Sequence, residues 1–378
     1  MRTVAVFFGG KSCENEISVL TGVFVMNVLR CQQYDVFPIY VHTNGLTYTS
    51  SKMTNVDVFR ENECAKFRRI LIEDGTVYAL NEQKGRLKRL AKPDVAINCC
   101  HGGLGEGGGV SALCAWHGIP LASPGIASSA VLMDKCMTKI AMRGLDIPTV
   151  DYVRVNEEDY QKRGAFLLKR IENRLKYPVI VKPAHLGSSI GITTARNEEE
   201  VKQAIAAAFA LDSRILIEKY LQDKQDVNCA AYSLNGEIFV SEPEAAFGAG
   251  VYSFEEKYVK RTSDGVFTKG QNIENDRGRC AFSGELRDKI RAYTRTVYKR
   301  MNLTGAVRID YLISDGKVYL CEVNTVPGSL AYYLFCERVT DARAFFGELI
   351  EEALRKSAQG EKKIITTGIL NGVTKRNK

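Results

Sequence analysis

Asp310, Glu322 and Asn324 fall within one stretch, Gly305–Ser329 (GAVRIDYLISDGKVYLCEVNTVPGS), that reads as two apolar strands around an Asp315-Gly316 turn. Glu322 and Asn324 are two residues apart, so they share a strand face. Whether Asp310 joins them depends on the loop. A two-residue loop, Asp315-Gly316, puts Asp310 on the other face. A three-residue loop, Ser314-Asp315-Gly316 with Gly316 left-handed, brings Asp310 and Arg308 onto the shared face, and this loop is the expectation. Carboxylates inside strands as apolar as Val307, Ile309, Val318, Leu320 and Val323 are costly unless they bind something. An all-oxygen donor set suits Mg²⁺ carrying nucleotide phosphates. The competing reading is a solvated edge hairpin.

A second group of residues points to the same chemistry. Lys182 closes the apolar run Pro178–Val181 and is followed by Pro183 and then Gly187-Ser188-Ser189. A lysine beside a loop of small residues, whose N–H groups approach an anion closely, makes a phosphate clamp. The bland alternative is a lysine that snorkels from a strand end. Glu218-Lys219-Tyr220-Leu221 follows another strand and offers an acceptor, backbone groups and an apolar residue, a plain seat for adenine. Two better-known nucleotide motifs fail. Gly9-Gly10-Lys11-Ser12 resembles the end of a P-loop, but Ala5 stands where its first glycine is needed. Gly103–Gly108 satisfies G-x-G-x-x-G after a strand, yet no acidic residue follows at ribose distance, so a dinucleotide-dependent oxidoreductase is disfavoured.

These residues need elements to hold them. Val4–Phe8 reads as a buried strand, followed by a glycine turn and a helix over Glu16–Leu29; Val36–Val41 and Asp94–Cys99 read as further strands. Strands alternating with helices predict a parallel, doubly wound sheet, with ligands beyond the carboxyl ends of its strands. The chain leaves that unit through the small-residue stretch Gly118–Ser129. Val179–Lys182 and Ile215–Glu218 read as strands. Asn197 caps a helix with Glu200 as capping-box partner, and Val201, Ile205 and Phe209 line one of its faces. Ser283 caps a helix striped by Leu286, Ile290, Tyr293 and Val297, and a last helix covers Ala342–Leu354. The fold class is therefore α/β, turning α+β in the C-terminal part. The expected division is 1–125, 126–213 and 214–356, with a loosely held tail over 357–378.

Bulk properties exclude several classes. The chain has 378 residues, enough for two or three domains. A net charge of +8 is modest at this length and scattered, which speaks against nucleic-acid binding. Cysteines number 11, none in a C-x-x-C pair, and with four histidines there is little material for zinc. They read as reduced, buried thiols of a cytoplasmic protein. The N-terminal apolar run is too short for a signal peptide, and no stretch approaches a membrane span.

Five segments in order and spacing resemble the ATP-grasp superfamily, and within it the D-alanine–D-alanine ligase family. They are GGKSCENEIS (Gly9–Ser18), HGGLGEGGG (His101–Gly109), MDKCMTK (Met133–Lys139), the loop around Lys182 and Gly187-Ser188-Ser189, and EVNTVPGS (Glu322–Ser329). The resemblance runs from Val4 to about Ser329 and implies an N-terminal domain followed by a two-part ATP-grasp domain. It implies that Lys135 and Lys182, with Ser188 and Ser189, hold ATP phosphates. Glu218 and Leu221 would seat adenine, Lys219 and Tyr220 supplying backbone groups between them, and Asp226 would stand where the family has a ribose-binding Glu. Asp310, Glu322 and Asn324 would bind two Mg²⁺, or Mn²⁺. Arg308 and the Gly328 backbone would face the transferring phosphate. Glu14 would bind the first amine, His101 would lie near its carboxylate, and Ser188 and Tyr258 would link with Glu14. Lys257 and Tyr258 belong to a stretch, Phe247–Lys269, resembling a closing loop, and Lys257 would join the ATP contacts. The implied activity joins two D-alanine molecules through an acyl phosphate for peptidoglycan precursors, in a homodimer. Two departures bear on substrate choice. Gly107 replaces a common Asp, and Tyr333, beside Ser329, stands near the Ser that holds the second substrate, so D-serine, D-lactate or another small acid stays open as acceptor. A non-catalytic nucleotide-binding relative is the alternative of another class.

Overall fold

The computed structural model describes residues 1–31, 33–60, 66–245, 284–359 and 367–368. The first unit is a seven-stranded sheet. Next to its β7 edge lies β1 (Arg2–Gly9), paired in parallel with β2 (Tyr34–Val41) on one side and with β7 (Val95–Asn98) on the other. β1 is apolar almost throughout because both its faces are covered. Val4, Val6 and Phe8 pack with α1 (Asn15–Leu29), while Ala5 and Phe7 join Val110 and Cys114 of a helix over Val110–Trp116 on the far face.

The parallel reading holds for β7, β1 and β2, while the sheet as a whole is mixed. From β2 outward the sheet continues through β3 (Thr47–Thr49), β4 (Arg68–Glu73), β5 (Thr76–Asn81) and β6 (Arg86–Ala91), every pairing antiparallel. The cause is local. The β4–β5 connection is a two-residue Asp74-Gly75 turn with both residues at positive φ, which closes a hairpin and leaves no room for a crossover helix. The parallel half, β7-β1-β2, is the part that the strand–helix alternation announces. Its carboxyl ends carry the two glycine-rich loops, Gly9–Glu14 and His101–Gly109.

The second sheet has the order β10 (Thr193–Ala195), β9 (Val179–Pro183), β11 (Arg214–Lys219), β8 (Tyr152–Asn156), all antiparallel. Leu167, Leu168 and Ile171 of the Glu157–Leu175 helix and Val201, Ala204 and Ile205 of the Glu198–Phe209 helix fill one face of it. Asn197 does cap the latter, accepting from the Glu200 N–H at 2.9 Å. Glu200 reaches back to the Arg196 N–H (2.8 Å), one residue earlier than a standard capping box.

The third sheet runs β13 (Glu237–Val240), β12 (Gln225–Leu234), β15 (Val307–Ser314), β16 (Lys317–Asn324), with β14 (Glu244–Ala245) also against β12. The Glu285–Arg300 helix lays Ile290 and Val297 on Val227, Ile309, Tyr311 and Leu320. Each fully buried side chain of this size contributes about 1.5–3 kcal/mol. The helix starts after Gly284 at φ +73, and Ser283, expected as its cap, lies outside the described residues. The last helix, Ala342–Ala358, returns to pack Phe345, Phe346 and Leu349 against the first unit's core, and it carries two residues of the expected tail. The nine described cysteines are free thiols. Five are buried, but Cys13 is exposed and Cys31, Cys321 and Cys336 are half-buried, so the expectation of uniformly buried thiols does not hold. Burial pushes Cys136 up to about 12, which leaves it neutral and inert. Among the described residues no helix is long and apolar enough to cross a membrane.

Candidate active site

The β15–β16 hairpin closes in two residues, not three. Ser314 pairs with Lys317, and Asp315 and Gly316 between them sit at φ +49 and +68. That turn alone would send Asp310 to the wrong face. The register is reset by a bulge, because Asp310 pairs with Glu322 and Tyr311 with Leu320, which leaves Cys321 as the extra residue. Arg308 then lies opposite Asn324 and Asp310 opposite Glu322, all four on the sheet face away from the helix-covered core. Asp226 and Asn228 of β12 extend the same face, Asn228 directly beside Asp310.

Arg308 is buried, so its charge must be matched. Nε and Nη2 donate to the two Asp310 oxygens at 2.7 and 2.9 Å, and Nη1 donates to the Tyr333 hydroxyl at 3.2 Å. Burial disfavours the guanidinium, but Asp310 outweighs it and holds the cation firmly charged. The Asn324 amide donates to Asp310 at 3.1 Å. Asp310, Glu322 and Asn324 thus share one face of the hairpin and carry hard oxygen donors, the type Mg²⁺ prefers.

The facing wall comes from the second sheet. Lys182 on β9 and Glu218 on β11 are diagonal neighbours on one face. Glu218 Oε2 pairs with Lys182 and Oε1 pairs with Lys139, whose ammonium also donates to the Val150 carbonyl at 2.9 Å and lies 5.1 Å from the Tyr152 ring centroid. All three charges are buried. Burial pushes the Glu218 carboxyl up, but the two ammoniums override it and hold it at about 2. Lys182 is raised despite its burial, chiefly by Glu218. Two ammoniums against one carboxylate leave the triad one positive charge in excess. Sequence reasoning missed Lys139. Its signal was the spacing of four from Lys135 on a helix, which puts both lysines on one side.

Lys135 opens the helix Lys135–Gly144, capped by Asp134, which accepts from the Cys136 and Met137 N–H groups at 2.8 and 3.1 Å. Its N–H donates to the Ala184 carbonyl at 3.0 Å and its ammonium to the Leu186 carbonyl. The same ammonium stands 3.6 Å from Glu322 Oε2, which brings the hairpin carboxylate and the lysine-bearing wall together. Ser188 and Ser189, both at positive φ, follow in the adjoining loop.

The loops of the first unit complete the enclosure. Glu14 is buried and accepts from the Ser188 hydroxyl. Gly102 and Gly187 leave room for it, since a Cβ on either would lie 2.5 and 2.6 Å from a Glu14 oxygen. His101 Nε2 is 2.8 Å from the Thr21 hydroxyl oxygen, which also accepts from the Ser329 N–H at 3.3 Å. Glu106, for which sequence reasoning proposed no role, binds two loops together. It accepts from the Gly102 N–H at 2.8 Å, the Val326 N–H at 3.1 Å and the Thr325 hydroxyl at 3.3 Å. Burial, aided by the Glu14 charge, lifts its carboxyl to about 7 against those hydrogen bonds. The hint in the sequence was an acid between glycines.

Other expected residues stand further off or are engaged otherwise. Asp226 is ion-paired with Lys224. The Lys219 and Tyr220 N–H groups donate to the Asp151 and Pro178 carbonyls at 2.9 and 3.3 Å, so the expectation that they offer backbone groups is restricted to their carbonyls. Leu221, just past β11, is half-buried. Gly328 opens a short turn in which Ser329, Leu330 and Ala331 all adopt left-handed φ of 50–54°, a strained run that turns Tyr333 back towards Arg308. Lys257 and Tyr258, with the Phe247–Lys269 stretch, lie outside the described residues.

Comparison with known proteins bears on this arrangement. Residues 3–124 match the family model "D-ala D-ala ligase N-terminus" and residues 141–355 match "D-ala D-ala ligase C-terminus". A D-alanine–D-alanine ligase of Thermosipho melanesiensis is 32% identical over 89% of this chain and 89% of its own length. One of Caldicellulosiruptor bescii is 32% identical over 93% of each. Among solved structures, a D-alanine–D-alanine ligase of Helicobacter pylori superposes with TM-score 0.75 at 25% identity, covering 93% of this chain and 98% of that one. A D-Ala:D-Ser ligase of Enterococcus faecalis superposes with TM-score 0.72 at 22% identity over 94% and 99%, a likeness of fold alone.

Proposed function

The chain belongs to the D-alanine–D-alanine ligase family, and we infer from that premise and from the site that it joins two D-alanine molecules with the conversion of ATP to ADP and phosphate, for peptidoglycan precursors. The observation that carries the reading is the pairing of Asp310 with Glu322 through the Cys321 bulge, with Lys135 3.6 Å from Glu322.

A carboxylate is a poor electrophile and must be activated. In this reading the first D-alanine's carboxylate oxygen attacks the γ-phosphorus of ATP, and ADP leaves. The second D-alanine's amine attacks the resulting acyl carbon, and phosphate leaves with the former carboxylate oxygen. Negative charge spreads over oxygens in each step, so fixed cations lower both barriers. Lys135 and Lys182 supply them on one wall and Arg308 on the other. Asp310, Glu322 and Asn324 would hold two Mg²⁺, whose chemistry is to neutralise the phosphate oxygens. Both Asp310 oxygens accept from Arg308, so an ion held by Asp310 would compete with that contact and would leave the guanidinium available to substrate oxygens. In this reading the Ser188 and Ser189 loop borders the phosphates, Glu218 and Leu221 the adenine and Asp226 the ribose, while the expected ATP contact of Lys257 lies outside the described residues. Glu14, held by Ser188, receives the first amine, and His101 lies by its carboxylate. The Gly328 N–H faces the tetrahedral centre, and Ser329 and Tyr333 border the second substrate.

The Tyr333–Arg308 hydrogen bond favours one refinement. In this reading the Tyr333 phenol borders the acceptor, which lets another small amino or hydroxy acid compete with D-alanine as second substrate. ATP dependence agrees with a cytoplasmic setting, and the family resemblance with a homodimer. The test is phosphate release in the presence of ATP, Mg²⁺ and D-alanine together, with product mass. Release of phosphate with formation of the D-alanine dipeptide supports the reading. Release only with a mixed pair of amino acids moves the acceptor, and none with any amino acid refutes the ligase.

A further inference from the structure

His185 stands between Lys182 and the Ser188-Ser189 loop, and the chemistry above makes no use of it. Its N–H donates to Asp212 Oδ2 at 2.8 Å, and its ring Nδ1 lies 3.0 Å from both Asp212 oxygens. Its Nε2 lies 3.3 Å from Asp134 Oδ2. Both carboxylates are nearly buried, whereas the imidazole is 44% exposed. Arg214 pairs with Asp134, and its N–H donates to Asp212 at 3.1 Å. With the ring doubly protonated, two carboxylates meet two cations and the cluster is neutral.

The cluster ties together what the phosphate site needs. Asp134 caps the helix that begins at Lys135, and the Lys135 N–H and ammonium donate to the carbonyls on either side of His185, those of Ala184 and Leu186. Asp212 anchors the loop just before β11, the strand that carries Glu218. We propose that His185 is a positioning residue for the nucleotide: its imidazolium, bridging Asp134 and Asp212, fixes the Lys135 helix against the Leu186–Ser189 loop so that both meet one set of phosphates. The proposal rests on the ATP reading of Lys135 and that loop.

A neutral imidazole has only one N–H, so one ring nitrogen would turn a lone pair towards a carboxylate. That contact becomes repulsive and the bridge opens. Asp134, and then Asp212, hold the His185 ring up at about 9 against its partial burial. Charged and titratable groups face the cluster from the elements packed around it. Asp134, despite burial, is held at about 2, Asp212 is lowered chiefly by His185 against its own burial, Cys136 is pushed by burial to about 12, Arg214 is an arginine, and Lys135 turns its ammonium to Leu186 and Glu322. A raised histidine stabilises fully below its unfolded value and loses that contribution as pH rises through the folded one. The bridge therefore holds at neutral pH and fails above about 9.

The experiment titrates the full chain with Mg²⁺ and a non-hydrolysable ATP analogue by calorimetry, in wild type, His185→Gln and His185→Arg, from about pH 7 to about pH 10. Loss of one charge-assisted hydrogen bond corresponds to about a tenfold weakening. Wild type should lose that factor at high pH. His185→Gln should bind about tenfold more weakly at neutral pH with a flat profile. His185→Arg, charged throughout, should bind like wild type at neutral pH and keep its affinity above. Asp212→Asn serves if the glutamine variant fails to fold, and should weaken binding in the same way. Affinity of His185→Gln within about twofold of wild type overturns the proposal, as does a His185→Arg profile that falls like the wild type's. A wild type that binds no nucleotide at any pH overturns the ATP reading, and the role of His185 with it.

Discussion

Glu218→Gln is the most informative perturbation of the lysine wall, because it keeps shape and removes one charge. The carboxylate sits between Lys139 and Lys182, and all three side chains are at most 10% exposed. A carboxyl held near 2 where 4.5 is ordinary is stabilised by about 3 kcal/mol at neutral pH. Removing one partner from a buried ion pair costs about 3–5 kcal/mol by independent measure, so the two routes agree. For a unit of this size that is a fall in Tm of roughly 6–12 °C. The contribution belongs to a depressed carboxyl, so it is complete above pH 4.5 and disappears as pH falls through about 2. The deficit of the variant should therefore be constant from neutral pH down to mildly acidic pH. The double variant Lys139→Met/Glu218→Gln should regain part of the loss, since one unmatched ammonium goes with the carboxylate. Thermal melts of the four proteins decide it. A Glu218→Gln melt within about 2 °C of wild type, or a double variant less stable than either single by the full sum, would refute the buried-triad reasoning.

Three further outcomes follow from the geometry. Glu322→Ala should abolish phosphate release, by at least about a hundredfold, while the melt changes little, because the side chain is 32% exposed; surviving turnover would remove it from the metal set. Tyr333→Phe deletes the hydroxyl that Arg308 contacts and should raise KM for the second amino acid by about tenfold with KM for ATP unchanged, as initial-rate kinetics would reveal. Glu106, raised to about 7, binds a proton in the folded state that the unfolded chain has released above 4.5, so wild-type stability should fall as pH rises between those values. Glu106→Gln should lack that slope, and parallel pH–Tm curves for the two proteins would contradict it.

What was legible in the sequence follows from how far each signal reaches. The apolar run of β1 and the glycine turns after β1 and β7 are local, and they located the parallel core and its ligand end. The β3–β6 extension was missed although Asp74-Gly75 is as plain a hairpin signal as Asp315-Gly316. Asp310, Glu322 and Asn324 share the expected face, but not through the expected three-residue loop. A bulge at Cys321 resets the register, and no residue in that strand advertises it, since a bulge is fixed by what packs on either side. Glu106, Lys139 and His185 were passed over because each acts through a partner distant in sequence: Val326, Glu218 and Asp212. Spacing within a segment cannot report such pairs. The resemblance to a family ordered the segments that local pattern alone left apart.

An acyl phosphate supported by this wall of cations would leave its mark on the phosphate released. The direct measurement is to supply D-alanine labelled with heavy oxygen in its carboxylate, together with ATP and Mg²⁺, and to weigh the inorganic phosphate released. The account predicts phosphate carrying one heavy oxygen for every peptide bond formed. Peptide formation with unlabelled phosphate would contradict it.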